Sequence, residues 1–215
     1  MALIFPKTTD KYVKIGAGIL AFLAVSGAGL ALYVGHPEVI MTGYSPVQPV
    51  PYSHKLHAGD LGMDCYYCHY TANKSSHAAV PPTQVCMNCH VRVKPQSPRL
   101  QQVRESYETE KPVPWVRVHK LPDFVFFNHE AHTTVGVSCV TCHGRVDQMV
   151  EVKQVEPLNM AWCLDCHRNP APNLRPVEQV TNLGWKPDRD PAAIGHEIIK
   201  ARGLNPPQHC SGCHR

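Results

Sequence analysis

All ten cysteines of this 215-residue chain fall into one repeated pattern, Cys-x-x-Cys-His. The copies are Cys65-Tyr66-Tyr67-Cys68-His69, Cys86-Met87-Asn88-Cys89-His90 and Cys139-Val140-Thr141-Cys142-His143, then Cys163-Leu164-Asp165-Cys166-His167 and Cys210-Ser211-Gly212-Cys213-His214. Chance would supply roughly 0.03 copies at these Cys and His frequencies, so the pattern is a device and not an accident. Two thiols three positions apart can each form a thioether with one vinyl group of a haem, and the adjoining His then lies under the iron as its proximal ligand. A zinc site uses Cys-x-x-Cys without needing a His after each second Cys. A disulfide framework would leave cysteines outside the pattern. The chain therefore reads as carrying five covalently bound haem c groups. Cys65, Cys68, Cys86, Cys89, Cys139, Cys142, Cys163, Cys166, Cys210 and Cys213 would hold them, and His69, His90, His143, His167 and His214 would be the proximal ligands.

Nine other histidines compete for the opposite face of each iron. His54 and His57 form His-x-x-His ahead of the first motif, and His129 and His132 do so ahead of the third. Residues three apart on a helical turn share a face, so each pair could serve two neighbouring irons. His77, between the first two motifs, and His119, in His119-Lys120-Leu121-Pro122-Asp123-Phe124, complete six distal candidates. The competing role is a solvated surface His, to which His36, His196 and His209 are assigned. Met160, three residues before Cys163, is a further axial candidate, although Met more often fills a core. Iron with two protein ligands has no open position for substrate, which favours electron transfer over catalysis.

The motifs begin at positions 65, 86, 139, 163 and 210, alternating short and long separations. Tyr52 to His69 aligns with Phe127 to His143 after one deletion, and each segment is followed by a second motif. The chain divides accordingly into a module over about 50–111, a second over about 112–170 and a fifth-haem segment over 171–215. Twenty prolines and 7% aromatic residues predict little regular structure and a poor protein core, with short helices at the motifs and around stacked haems. A helix is expected over 191–202, with Asp190 as N-cap and Gly203 just past its end.

Ile15 to Val34 is a run of twenty uncharged residues, the length of a membrane span. Lys7, Lys11 and Lys14 precede it and no Lys or Arg follows before Lys55. That asymmetry puts residues 1–14 in the cytoplasm, a transmembrane anchor at 15–35 and the haem domain, 36–215, across the membrane. A cleaved signal peptide with Ser26-Gly27-Ala28 as its site is the rival, but the apolar run is long for one. Gly16, Gly18, Gly27 and Gly29 would allow close packing of another membrane helix. The net charge of +4 is spread along the chain without a basic stripe, which excludes nucleic acid as a partner.

The His-x-x-His element ahead of an attachment motif, as in Phe127-Asn128-His129-Glu130-Ala131-His132, resembles the cytochrome c3/c7 class. The resemblance implies a class III-like multihaem cytochrome c fold. It also implies that His54 and His129 serve the haems whose motifs follow, while His57 and His132 reach others. Over essentially its whole length, the anchor, two modules and terminal motif resemble the pentahaem subunit of alternative complex III, with support from Met160-Ala161-Trp162-Cys163. This implies a non-catalytic electron relay at the periplasmic face of a bacterial inner membrane. The implied partners are an iron–sulfur subunit, polytopic quinol-binding subunits, a monohaem cytochrome c and a terminal oxidase. A stand-alone quinol dehydrogenase with one anchor, and a small-molecule reductase, are the competing readings.

Overall fold

A computed structural model describes Pro6 and residues 8–214; Lys7, one of the three lysines of the anchor argument, lies outside them. The chain divides into two units between Met41 and Thr42. In the first, α1 (Thr9–Val34) is a 26-residue helix, about 39 Å long at 1.5 Å per residue. It is long and apolar enough to cross a membrane. The helix starts before the apolar run because Thr9 to Lys14 also wind helically, with Lys14 Nζ 2.7 Å from Asp10 Oδ2 one turn earlier. It ends at Gly35, and a short helix α2 (Pro37–Met41) follows. The surface beside Gly16, Gly18, Gly27 and Gly29 is open.

The second unit is built from short helices and irregular chain. Its described residues form no strand beyond isolated bridges, Val125 with His214 and Val137 with Leu174. Cys-x-x-Cys-His motifs lie in α3 (Cys65–Cys68), α4 (Thr83–His90), α7 (Cys139–His143) and α8 (Met160–Arg168), while α5 (Gln101–Thr109) packs on α4 and α6 (His129–Thr133) carries the second histidine pair. Polar side chains start them. Asp64 accepts from Tyr66 N, Ser138 from Val140 N and Asn159 from Trp162 N, each satisfying a backbone donor that the helix leaves unpaired. The last helix, α9, covers Pro191–Arg202. Asp190 caps it through Ala192 N and Gly203 follows at φ +61°, as its sequence pattern indicates.

The protein's own apolar core is thin. Val50, Val103 and Val113 form one cluster, supported by Cys86, Met87, Leu100 and Trp115. Ala171, Leu174, Val180 and Ile194 are the other large contributors, around the contact of α9 with the turn Ala171–Asn173. Backbone hydrogen bonds between distant segments compensate. The π-helical turn Lys55–Asp60, carrying the first His-x-x-His, lies on the turn Val146–Gln148 just after motif three, with Lys55 N 2.8 Å from Met149 O. Reciprocally, α6, carrying the second, lies on the segment after motif one: His129 N donates to Ser76 O at 3.1 Å and Glu130 N to Ser75 O at 3.2 Å. The two modules grip each other.

That grip predicts a stability effect. A Cβ on Gly59 would stand 2.2 Å from Asp147 O, a backbone atom that cannot rotate away. Gly59→Ala is expected to cost about 1–3 kcal/mol, the usual range for overpacking, measured as a lower midpoint of thermal unfolding than wild type. An unchanged midpoint would show that the two turns do not depend on each other.

Candidate haem-attachment sites

A helical turn places the two cysteines of each motif on one face and folds the following His back beneath them. His69 N donates to Cys65 O at 2.8 Å, and His214 N to Cys210 O at 2.9 Å. The imidazoles are then oriented by the main chain. Nδ1 of His69 lies 3.0 Å from Ala79 O, that of His90 2.8 Å from Val93 O, that of His167 2.7 Å from Pro207 O and that of His214 3.1 Å from Phe124 O. A carbonyl oxygen only accepts, so Nδ1 carries the proton in each and Nε2 keeps its lone pair for a metal.

The His-x-x-His residues follow the same rule. His57 Nδ1 lies 2.9 Å from Ser53 O, and His132 Nδ1 2.6 Å from Asn128 O, at equivalent places in the two modules. His129 Nδ1 meets Ser76 O at 3.0 Å. His54 Nδ1 is buried without a hydrogen-bond partner. Tyr52 and Phe127 wedge between the histidines of each pair. The rings of Tyr52 and His54 are 4.8 Å apart at 87°, and those of Phe127 and His129 4.7 Å apart at 87°. Tyr52 stacks on His57, and Phe127 on His132, each at 4.5 Å. The sequence shows the aromatic residue recurring; its wedge role depends on ring angles that spacing alone does not supply.

These turns bring four distal candidates opposite four proximal histidines. His54 faces His69 with ring centres 6.5 Å apart, and His129 faces His143 at 6.5 Å. His57 faces His90 at 6.3 Å, and His132 faces His167 at 6.1 Å. With metal–nitrogen bonds of about 2.0–2.1 Å and about 1.1 Å from nitrogen to ring centre, two imidazoles on opposite sides of one iron stand about 6.3 Å apart. The residues fit a covalently held haem between each pair.

The remaining candidates sit differently. His119 stands beside His143, not across from it: the rings are 4.3 Å apart at 81°, and His119 Nε2 is 3.3 Å from His143 Nδ1. His77 is exposed, with Nδ1 2.9 Å from Ser76 Oγ. The ring near His214 is Phe124, at 5.7 Å. Met160, His196 and His209 are exposed. All ten cysteines are free of disulfides, and no three His, Cys, Asp or Glu converge on a bare-ion site among the described residues.

Burial sets the charge of these groups. It pushes the His54 imidazole down to about 4 and His143 down to about 3, with neighbouring histidines adding to the effect. Burial also lowers His119, His129 and His132. Neutral imidazole is the form that binds metal.

Over 97 residues the chain is 39% identical to a protein of Nitratidesulfovibrio vulgaris named menaquinone reductase, multiheme cytochrome c subunit. The matched stretch is 45% of this chain and 45% of that relative, so it spans about half the relative's length. No protein-family model matches the chain.

The lowered imidazoles predict acid sensitivity. Between about pH 6.5 and 4 the unfolded chain binds protons at His54 that the folded chain refuses, so stability rises with pH through that window and is lost as pH falls. Urea unfolding midpoints should be lower at pH 5 than at pH 7. Equal midpoints would place these rings in water.

Proposed function

We propose that this chain is a membrane-anchored cytochrome carrying five haem c groups and that it relays electrons within a quinone-linked respiratory oxidoreductase, without a substrate site of its own. The observation that carries this reading is the set of four facing imidazole pairs, at 6.1–6.5 Å. Haem c would supply iron that cycles between two oxidation states, and two imidazoles would keep it closed to substrate at each of the four pairs. The chain's own part is to fix the rings. Seven Nδ1–H groups held by carbonyls stop the imidazoles from rotating, and Tyr52 and Phe127 wedge them from the side. A site that keeps its ligands in both oxidation states spends little energy on reorganisation.

In this proposal His54 and His69 would hold one haem iron, His57 and His90 the second, His129 and His143 the third, and His132 and His167 the fourth. His214 is the proximal ligand of the fifth. His119 and His77 are the sequence candidates left over for its other face, and His119 lies instead against His143.

The finer reading is the pentahaem subunit of alternative complex III. The anchor would lie in the inner membrane and the haem domain in the periplasm. An iron–sulfur subunit, quinol-binding membrane subunits, a monohaem cytochrome c and a terminal oxidase would be the partners. The name of the Nitratidesulfovibrio relative favours a second direction, with electrons delivered into menaquinone. The two readings separate in one assay. The complex isolated through a tag on this chain is given menaquinol with an oxidised cytochrome, or menaquinone with a reduced one. Quinol oxidation supports the first direction and quinone reduction the second; activity of the chain alone would sink the relay reading.

Ligation is checked by spectra. The wild-type chain should carry five haems by mass and haemochrome absorbance, and His129→Ala should convert one of them to high-spin iron. His132→Ala should convert a different one. If both variants keep a fully low-spin spectrum, the pairing is wrong.

A further inference from the structure

Contacts among the described residues link motif one to both motif two and motif three. Motifs two and one touch directly: Asn88 Nδ2, inside motif two, donates to Tyr67 Oη, inside motif one, at 3.1 Å. Motifs one and three share a backbone support. Cys139 N, inside motif three, donates to Val180 O at 3.4 Å. The segment Val180-Thr181 bridges the same two motifs. Cys65 Sγ approaches Thr181 O at 3.8 Å, Ser138 Oγ donates to Val180 O at 2.6 Å, and Thr181 Oγ1 donates to Asp64 Oδ2 at 2.8 Å.

Motifs three and four meet at a cavity of about 340 Å³ lined by Thr141 of the former, Asp165 and Cys166 of the latter, and Trp162. Motif four reaches motif five through the residues just before Cys210. His167 Nδ1 donates to Pro207 O at 2.7 Å and Gln208 Nε2 to His167 O at 3.4 Å.

Exposure agrees with this order. Of the ten cysteines, Cys89 of motif two and Cys210 of motif five are exposed, while the other eight are partly buried. The exposed pair belongs to the two motifs that the contacts leave at the ends.

We propose that the five motifs form one unbranched row in the order two, one, three, four, five, so that the haems at Cys86–His90 and Cys210–His214 are its ends. This rests on the five-haem relay reading above. The row doubles back on the sequence at its start, and the junction of the two modules, between motifs one and three, lies in its interior. Passage of one electron oxidises a reduced donor protein at one end and reduces an oxidised acceptor protein at the other. No bond forms or breaks between them, and no proton is transferred.

The test uses the full-length, haem-loaded chain and five variants, each with both cysteines of one motif replaced by alanine. Haem content is counted by mass spectrometry, and coupling between the ferric haems is read by low-temperature electron paramagnetic resonance. Loss of motif two (C86A/C89A) or motif five (C210A/C213A) should alter the signal of one remaining haem. Loss of motif one, three or four should alter two. A motif-two variant that alters two signals, or a motif-one variant that alters one, would overturn the order. Should variants fail to fold, a density map of the wild-type complex decides the matter by the nearest neighbours of each iron. The iron at motif two must lie nearest the one at motif one, and the iron at motif five nearest the one at motif four; any other neighbours overturn the row. A wild-type chain with fewer than five haems refutes the functional reading itself, whereas five haems with other neighbours refute only the order.

Discussion

The site geometry depends on a simple asymmetry: a carbonyl oxygen accepts a hydrogen bond and cannot donate one. Seven imidazoles, those of His57, His69, His90, His129, His132, His167 and His214, place Nδ1 against a main-chain carbonyl. Each is thereby locked as one tautomer with its Nε2 lone pair outward, and its ring plane is set by the backbone. A second-sphere bond of this kind both orients a metal-binding His and raises its basicity. Because the acceptors are main-chain atoms, the orientation survives changes in the side chains that surround them.

The rest of the domain serves to hold those carbonyls still. With so few buried apolar residues, hydrophobic contact alone is a weak source of rigidity here. Short capped helices and the mutual grip of the two modules take over. Each His-x-x-His turn leans on the chain that follows the first motif of the other module, so the paired histidines of one module are braced by the backbone of its neighbour. The equivalence extends to detail: Ser53 and Asn128 each cap their turn and lend a carbonyl to the second histidine.

Much of this was legible in the residues. The attachment motifs, the paired histidines, the alternating spacing and the capped helix over Pro191–Arg202 are local features, and spacing is enough to find them. The facing of His57 with His90 and of His132 with His167 is of another kind, since it requires the chain between them to fold back. His119 shows the limit most clearly. Its isolated place in the sequence is equally compatible with a position across an iron and one beside a proximal ring, and the structure sets it beside His143. The carbonyl acceptors of Ala79, Val93, Phe124 and Pro207 carry no signature at all, because every residue has a carbonyl.

The reciprocal grip also bears on how such a chain is made. The turn that carries His54 and His57 is braced from outside by Met149, far downstream, and the closing of so long a loop carries an entropic cost. A growing chain that has just completed its first two motifs thus lacks the outside brace for its first pair of histidines. Each module gains its brace only from the other, so the two ligand-candidate turns are secured in the same event.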